Sequence, residues 1–294
     1  MNRRDFLAQA STAAFTIALP TALRAALDKD NVYRKNIGVQ LYTVRKLMEK
    51  DTVGTIKAVA AAGYKQAELG GFPSQTDAQL KAARDAGLVV NSSHFEWDSL
   101  VNPSDSSYSD FRKIVDKAHA AGLKHLVVPY LVDKNRTTLD DYKKTAAQLN
   151  KGAELSKGAG IRLSYHNHAF EFQPLAGGRT GFDVFMAEFS CDMYFELDVF
   201  WVKVGGAEPT DLLKKLSGRV AQVHLKDLQP GLTLPEFGKV PDDAFQELGD
   251  GILSWEPILE AAKAAGVEHC HVEQDQSPDP LASIRQSINY LAKL

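Results

Sequence analysis

HAAGLKHLVVP (119–129) holds the plan of this chain in miniature: the end of a helical pattern, an Ala-Ala-Gly stop, and a β-branched run that ends on proline. The phrase recurs as AAAGYKQAEL (60–69), RDAGLVVNSSH (84–94), SKGAGIRLSYH (156–166) and KAAGVEHCHVE (263–273). Glycine just past a helix is the usual left-handed cap, so Gly63, Gly87, Gly122, Gly160 and Gly266 each end a helix and turn the chain into a strand. The apolar run after each glycine has the length of a strand buried on both faces. Ile37–Tyr42, Met193–Asp198 and Val220–Leu225 bring the strands to eight. Helical patterns fall near 49–62, 76–86, 108–121, 139–158, 180–189, 209–216, 255–265 and 280–292. Eight alternating strand–helix units predict an α/β chain closed as a (β/α)8 TIM barrel. An open doubly wound sheet would carry a glycine-rich phosphate loop after its first strand, and QLYTVRKLMEK (40–50) has no glycine there. No linker or composition break divides residues 36–294, which read as one domain.

Composition fits a globular chain: 294 residues, 44% hydrophobic and 24% charged, which excludes disorder and fibrous folds. A net charge of −3 argues against a nucleic-acid partner held by phosphate neutralisation, and none is expected. Two cysteines make neither a disulfide scaffold nor a four-thiolate zinc site, and Cys191 and Cys270 are expected as buried free thiols. Beyond residue 26 no apolar run approaches a membrane span, so no stable membrane association is expected. Residues 1–26 read differently. Arg3-Arg4-Asp5-Phe6-Leu7 followed by the apolar stretch Ala13–Leu23 resembles a twin-arginine export signal, whose partner is the twin-arginine machinery. Its removal takes away Arg3, Arg4 and Arg24 against only Asp5, leaving a more acidic, periplasmic mature chain.

Catalytic groups of such a barrel sit at the C-terminal strand ends and in the loops that follow. Polar residues collect there: Gln40 and Tyr42, Glu68, His94, His166-Asn167-His168 with Glu171, Glu196 and Asp198 with Trp201, His224 with Lys226 and Asp227, and His271 with Glu273. His166, Asp198, His224 and Glu273 close four adjacent strands, and convergent imidazole and carboxylate groups suit one divalent ion such as Mn²⁺, Zn²⁺ or Co²⁺. His271 lies one layer deeper, where it would orient a ligand. His119, on a helix, and His125 and His269, at the opposite strand ends, are read as structural.

The segments IGVQLYTVR (37–45), SYHNHAFEF (164–172), ELDVFWVKVGG (196–206), RVAQVHLKD (219–227), LGDGILSWEPILEAAKAAG (248–266) and VEQD (272–275) resemble the sugar phosphate isomerase/epimerase superfamily of xylose isomerase-like barrels. The resemblance implies one divalent ion held from strands 5 to 8, at His166, Asp198, His224 and Glu273. Relatives that epimerise free ketoses usually place a glutamate on strand 5 as one of two acid/base catalysts. This chain has His-Asn-His instead, which leaves Glu273, His168 or Glu171 as the proton-transfer group.

Gln40, Tyr42, Glu68, His94, Trp201 and Lys226 are the candidate substrate-binding residues. Tyr42 and Trp201 are suited to stacking on a sugar face, Lys226 to holding a substrate oxygen, and Asp227 to pairing with it. Gly249-Asp250-Gly251 reads as a turn before the seventh helix, and the loops 95–107 and 227–254 as covers for the site. The expected activity is metal-dependent proton transfer next to a carbonyl of a carbohydrate, through an enediolate, giving an isomer or epimer. Two alternatives stand beside it: a keto-sugar or keto-glycoside lyase or hydrolase using the same groups, and an exported sugar-binding protein without catalysis.

Overall fold

Eight parallel strands close into a barrel in a computed structural model that describes residues 31–74, 76–101 and 110–294. They are β1 (Gly38–Gln40), β2 (Gln66–Leu69), β3 (Val89–His94), β4 (His125–Val128), β5 (Arg162–His166), β6 (Met193–Asp198), β7 (Val220–Leu225) and β8 (His269–Val272), and β8 pairs with β1 to seal the ring. The principal helices are α1 (Thr52–Ala61), α2 (Thr76–Asp85), α3 (Phe111–Ala121), α4 (Leu139–Gly158), α5 (Gly181–Glu188), α6 (Pro209–Lys215), α7 (Trp255–Ala264) and α8 (Pro280–Leu291). All five phrase glycines have positive φ, and Gly122, at φ 81°, caps α3 before the chain enters β4. The expected export signal at residues 1–26 and part of the 95–107 loop lie outside the described residues. Among the described residues, no helix is long and apolar enough to cross a membrane.

Alternation sorts each strand into two faces. Leu126, Leu163, Leu197, Val223 and Val272 are buried in the hydrophobic core that surrounds the barrel, with Ile114 and Val115 of α3 and Ile258 and Leu259 of α7. The lumen is polar, where barrels of this kind usually stack branched apolar side chains. Gln222 Nε2 donates to Ser92 Oγ and to Glu196 Oε1, each at 2.9 Å, and Ser92 Oγ donates to Glu68 Oε1. These cross-barrel bonds satisfy the polar groups and fix the carboxylates below the barrel mouth.

Two local expectations are corrected. The first strand stops at Gln40, because the Gln40 side chain accepts from Tyr42 N–H (3.1 Å) and starts a 3-10 turn over Leu41–Val44. Cys270 is buried in β8, but Cys191 is exposed, since it sits in the turn between α5 and β6; both thiols are free.

Candidate active site

Strand register brings the predicted ligands together. Asp198 is level with His224, His224 with His271, and His166 with Glu196. Asp198 caps the short helix Val199–Val204 by accepting from Trp201 N–H at 3.1 Å. From the other side, Asn167 Oδ1 accepts the Asp198 N–H at 3.0 Å and so ties the ends of β5 and β6. His224 is fully buried, with Nδ1 at 3.0 Å from Glu273 Oε2 and Nε2 at 2.7 Å from Glu68 Oε2. His94 Nε2 and His166 Nδ1 meet Glu196 Oε2 at 2.9 and 3.0 Å. Lys226 is also buried, its Nζ 2.9 Å from Glu273 Oε2, 3.0 Å from Asp275 Oδ2 and 3.2 Å from Asp198 Oδ2.

Charge in this network is set by pairing. Burial disfavours the Lys226 ammonium, yet Asp198, Asp275 and Glu273 hold it firmly protonated. Burial likewise opposes a charged His224, and Glu196 and Glu273 outweigh it. Glu273 stays well below the usual carboxylate range despite burial, because Lys226 and His224 stand beside it.

Above this network opens a pocket of about 450 Å³, lined by His94, His166, His168, Lys226 and Glu273, with Tyr42, Tyr130, Trp201, Phe245 and Asp275. His168 stacks on Phe170 (5.5 Å between centroids) and lies tilted against Trp201 (5.2 Å). Burial, then the neighbouring His166 and Lys226, drive His168 well below the usual imidazole range. It is therefore neutral, and its buried Nδ1 has no hydrogen-bond partner.

The donor set fits a divalent cation. His166, Asp198, His224 and Glu273 bring one atom each to within 4.8 Å of one another, all buried. Two other groups of similar spacing near the barrel mouth draw on Glu196 or Glu68. Those carboxylates already accept from Gln222 or Ser92, whereas Asp198 Oδ2 is buried with no hydrogen bond, 3.2 Å from the Lys226 ammonium and 3.8 Å from His166 Nε2. A buried carboxylate oxygen aimed at two imidazoles and a second carboxylate is a cation-binding arrangement. Glu68 on Nε2 fixes the His224 ring, as an outer carboxylate does for a ligating histidine.

Four sequence-predicted residues sit elsewhere. Glu171 is fully buried behind the pocket, where it accepts from the Tyr165 hydroxyl and from His168 N–H (2.8 Å). Burial raises its pKa to about 8. Glu68 lies under His224, below the pocket, and Gln40 spends its carbonyl on the 3-10 turn. Asp227 does not pair with Lys226. Its carboxylate accepts from Leu228 N–H (2.8 Å), Leu253 N–H (3.1 Å), Gly249 N–H (2.9 Å) and Trp255 Nε1 (2.9 Å), which pins the 249–255 turn. Of the 227–254 loop, Lys239, Val240, Asp242 and Phe245 do reach over the pocket.

Some pocket residues were not singled out from the sequence. Asp275 lies two residues past Glu273, within VEQD, and Tyr130 follows the end of β4. Nothing local marks Phe245, which the long loop carries back to the site.

A sequence profile of the xylose isomerase-like TIM barrel family matches residues 56–294. The chain is 26% identical over 263 residues to an inosose dehydratase of Clostridium botulinum, covering 81% of this chain and 85% of that one. A crystal structure of a sugar phosphate isomerase/epimerase from Parabacteroides distasonis superposes with a TM-score of 0.71 at 26% identity, over 88% of this chain and 98% of the other. The structure of the IOLI protein with a bound zinc atom shares the fold, with a TM-score of 0.61 at 15% identity, over 88% of this chain and 95% of that one.

Proposed function

The chain belongs to the xylose isomerase-like TIM barrel family, and from that premise we propose a divalent-metal-dependent enzyme that moves a proton next to a carbonyl of a carbohydrate. The observation that carries this reading is the meeting of His166, Asp198, His224 and Glu273 under a pocket that also holds Lys226 and a neutral His168. When bound, the ion supplies Lewis acidity to adjacent carbonyl and hydroxyl oxygens and acidifies the neighbouring C–H. Lys226 offers a fixed positive charge to an oxygen that becomes negative as that proton leaves. His168, unprotonated and on the pocket wall, takes the proton, and Glu273 is the second group of suitable chemistry there. Tyr42, Tyr130 and Trp201 give the flat apolar surface on which the weakly polar face of a sugar ring packs.

Return of the proton gives an isomer or epimer, in keeping with the isomerase/epimerase among the similar structures. A second reading, loss of a β-oxygen to give a dehydratase or lyase, has the inosose dehydratase relative in its favour and uses the same residues. The paired arginines Arg3 and Arg4 support placing this activity in the periplasm. The test is a panel of keto-sugars and keto-glycosides offered in deuterated water to protein loaded with Mn²⁺, Zn²⁺ or Co²⁺. Solvent deuterium beside the carbonyl, lost on chelation, is expected for an isomerase or epimerase, and an unsaturated product for a lyase. Neither product from any member of the panel refutes the proposal.

A further inference from the structure

At the opposite end of the barrel lies a second cluster that the chemistry above leaves unused. His125 opens β4 and His269 opens β8, and these two strands stand across the ring from each other. Their imidazoles nevertheless meet at 5.5 Å, edge to face, so both point inward and close the barrel floor. Glu268, one residue before β8, places Oε2 at 3.3 Å from His125 Nε2. Its other oxygen, Oε1, faces the Arg162 guanidinium at the start of β5.

The hydrogen-bond inventory of this cluster is incomplete. His125 is buried; its Nδ1 has no partner, its Nε2 meets Glu268 Oε2 without making a hydrogen bond, and His269 Nδ1 is buried without a partner as well. Buried polar atoms are ordinarily paired, and several lone imidazole nitrogens on one small site call for a ligand that takes lone pairs. Burial first, with Arg162 acting on His125 and His271 on His269, lowers both imidazoles to about 4, so they are neutral at pH 7. One donor atom from each of His125, His269 and Glu268 lies within 4.8 Å of the others. Glu268 is exposed, which leaves a solvent side for a further ligand.

We propose that His125, His269 and Glu268 form a second cation site, of the zinc class, on the barrel floor and independent of the pocket at the mouth. Two neutral imidazoles and one carboxylate with an open position are a common zinc donor set. Arg162 holds the Glu268 oxygen that the ion does not use, which orients the carboxylate as outer partners of metal ligands do. An ion here would tie β4 to β8 and brace opposite walls of the barrel.

The experiment measures zinc per chain after metal-stripped full-length protein is reloaded with Zn²⁺ and desalted. His269→Gln and Glu268→Gln should each bind one equivalent fewer than their parent, whether that parent is the natural chain or Asp198→Ala. Cobalt-loaded Asp198→Ala should show the visible d–d bands of a four-coordinate nitrogen–oxygen site, lost in Asp198→Ala/His269→Gln. Far-ultraviolet circular dichroism reports folding, and Glu268→Gln, at an exposed position, carries the result should His269→Gln not fold. Zinc content unchanged in the folded floor variants overturns the proposal.

Discussion

Replacing Glu171 by glutamine separates a buried clamp from a catalytic base. In the folded chain Glu171 accepts from the Tyr165 hydroxyl and from His168 N–H, and burial lifts its pKa from 4.5 to about 8. The folded protein therefore keeps a proton that the unfolded chain releases between those two values. Stability from this group is fully present below about pH 4.5, falls as pH rises, and is gone above about pH 8. At about 1.36 kcal/mol per tenfold change in proton affinity, the ceiling of the effect is about 5 kcal/mol. Glutamine stands in for the protonated acid: its carbonyl accepts from His168 N–H, its amide donates to the Tyr165 oxygen as the acid's own O–H does once protonated, and it has no proton to lose. Urea unfolding of both proteins at intervals from pH 4.5 to 9 should show natural-chain stability falling relative to Glu171→Gln by up to that amount. Turnover of the proposed substrate class should change little in Glu171→Gln, because a carboxyl protonated at neutral pH is no base. Parallel stability curves refute the clamp. A turnover loss of about 10²-fold or more, the contribution of a general base, returns Glu171 to the chemistry.

The companion change, His168→Gln, should keep the metal measured in the purified protein and cut turnover by roughly 10²–10⁴-fold; near-normal rates would remove His168 from the reaction. Gly251→Ala would set a methyl 2.2 Å from Asp227 Oδ1 and 2.5 Å from the Leu228 carbonyl. A loss of roughly 1–3 kcal/mol, seen as a lower Tm, is expected from such overpacking, and an unchanged Tm counts against the Asp227 clamp. With Arg3 and Arg4 both changed to lysine, the folded protein should stay in the cytoplasm, and undiminished periplasmic delivery would refute twin-arginine export.

Much of the fold was legible because its punctuation is local. A glycine that must adopt positive φ, such as Gly122, marks a helix end without reference to anything distant. The ligand candidates were legible for a related reason: Asp198, His224 and Glu273 occupy strand ends, and closure of the barrel makes neighbours of strand ends. The failures are tertiary. Glu171 and His168 are three residues apart, and only the turn geometry decides which faces the pocket. Asp227 sits beside Lys226 in sequence but on the opposite face, and its carboxylate answers to backbone N–H groups more than 20 residues away. Cys191 reads as an apolar residue and lies in a turn too short to cover it.

The ammonium of Lys226 touches Asp198 and Glu273, the same carboxylates that would hold an ion, and Asp275 beside them. It is a countercharge carried by the chain itself. Mutual repulsion among those carboxylates is thus relieved before any metal arrives, and folding need not wait for loading, unlike small domains that collapse only around zinc. For a protein proposed to leave the cytoplasm already folded, this decouples two events in its life. On that proposal the barrel folds around its own cation first and takes up its metal afterwards.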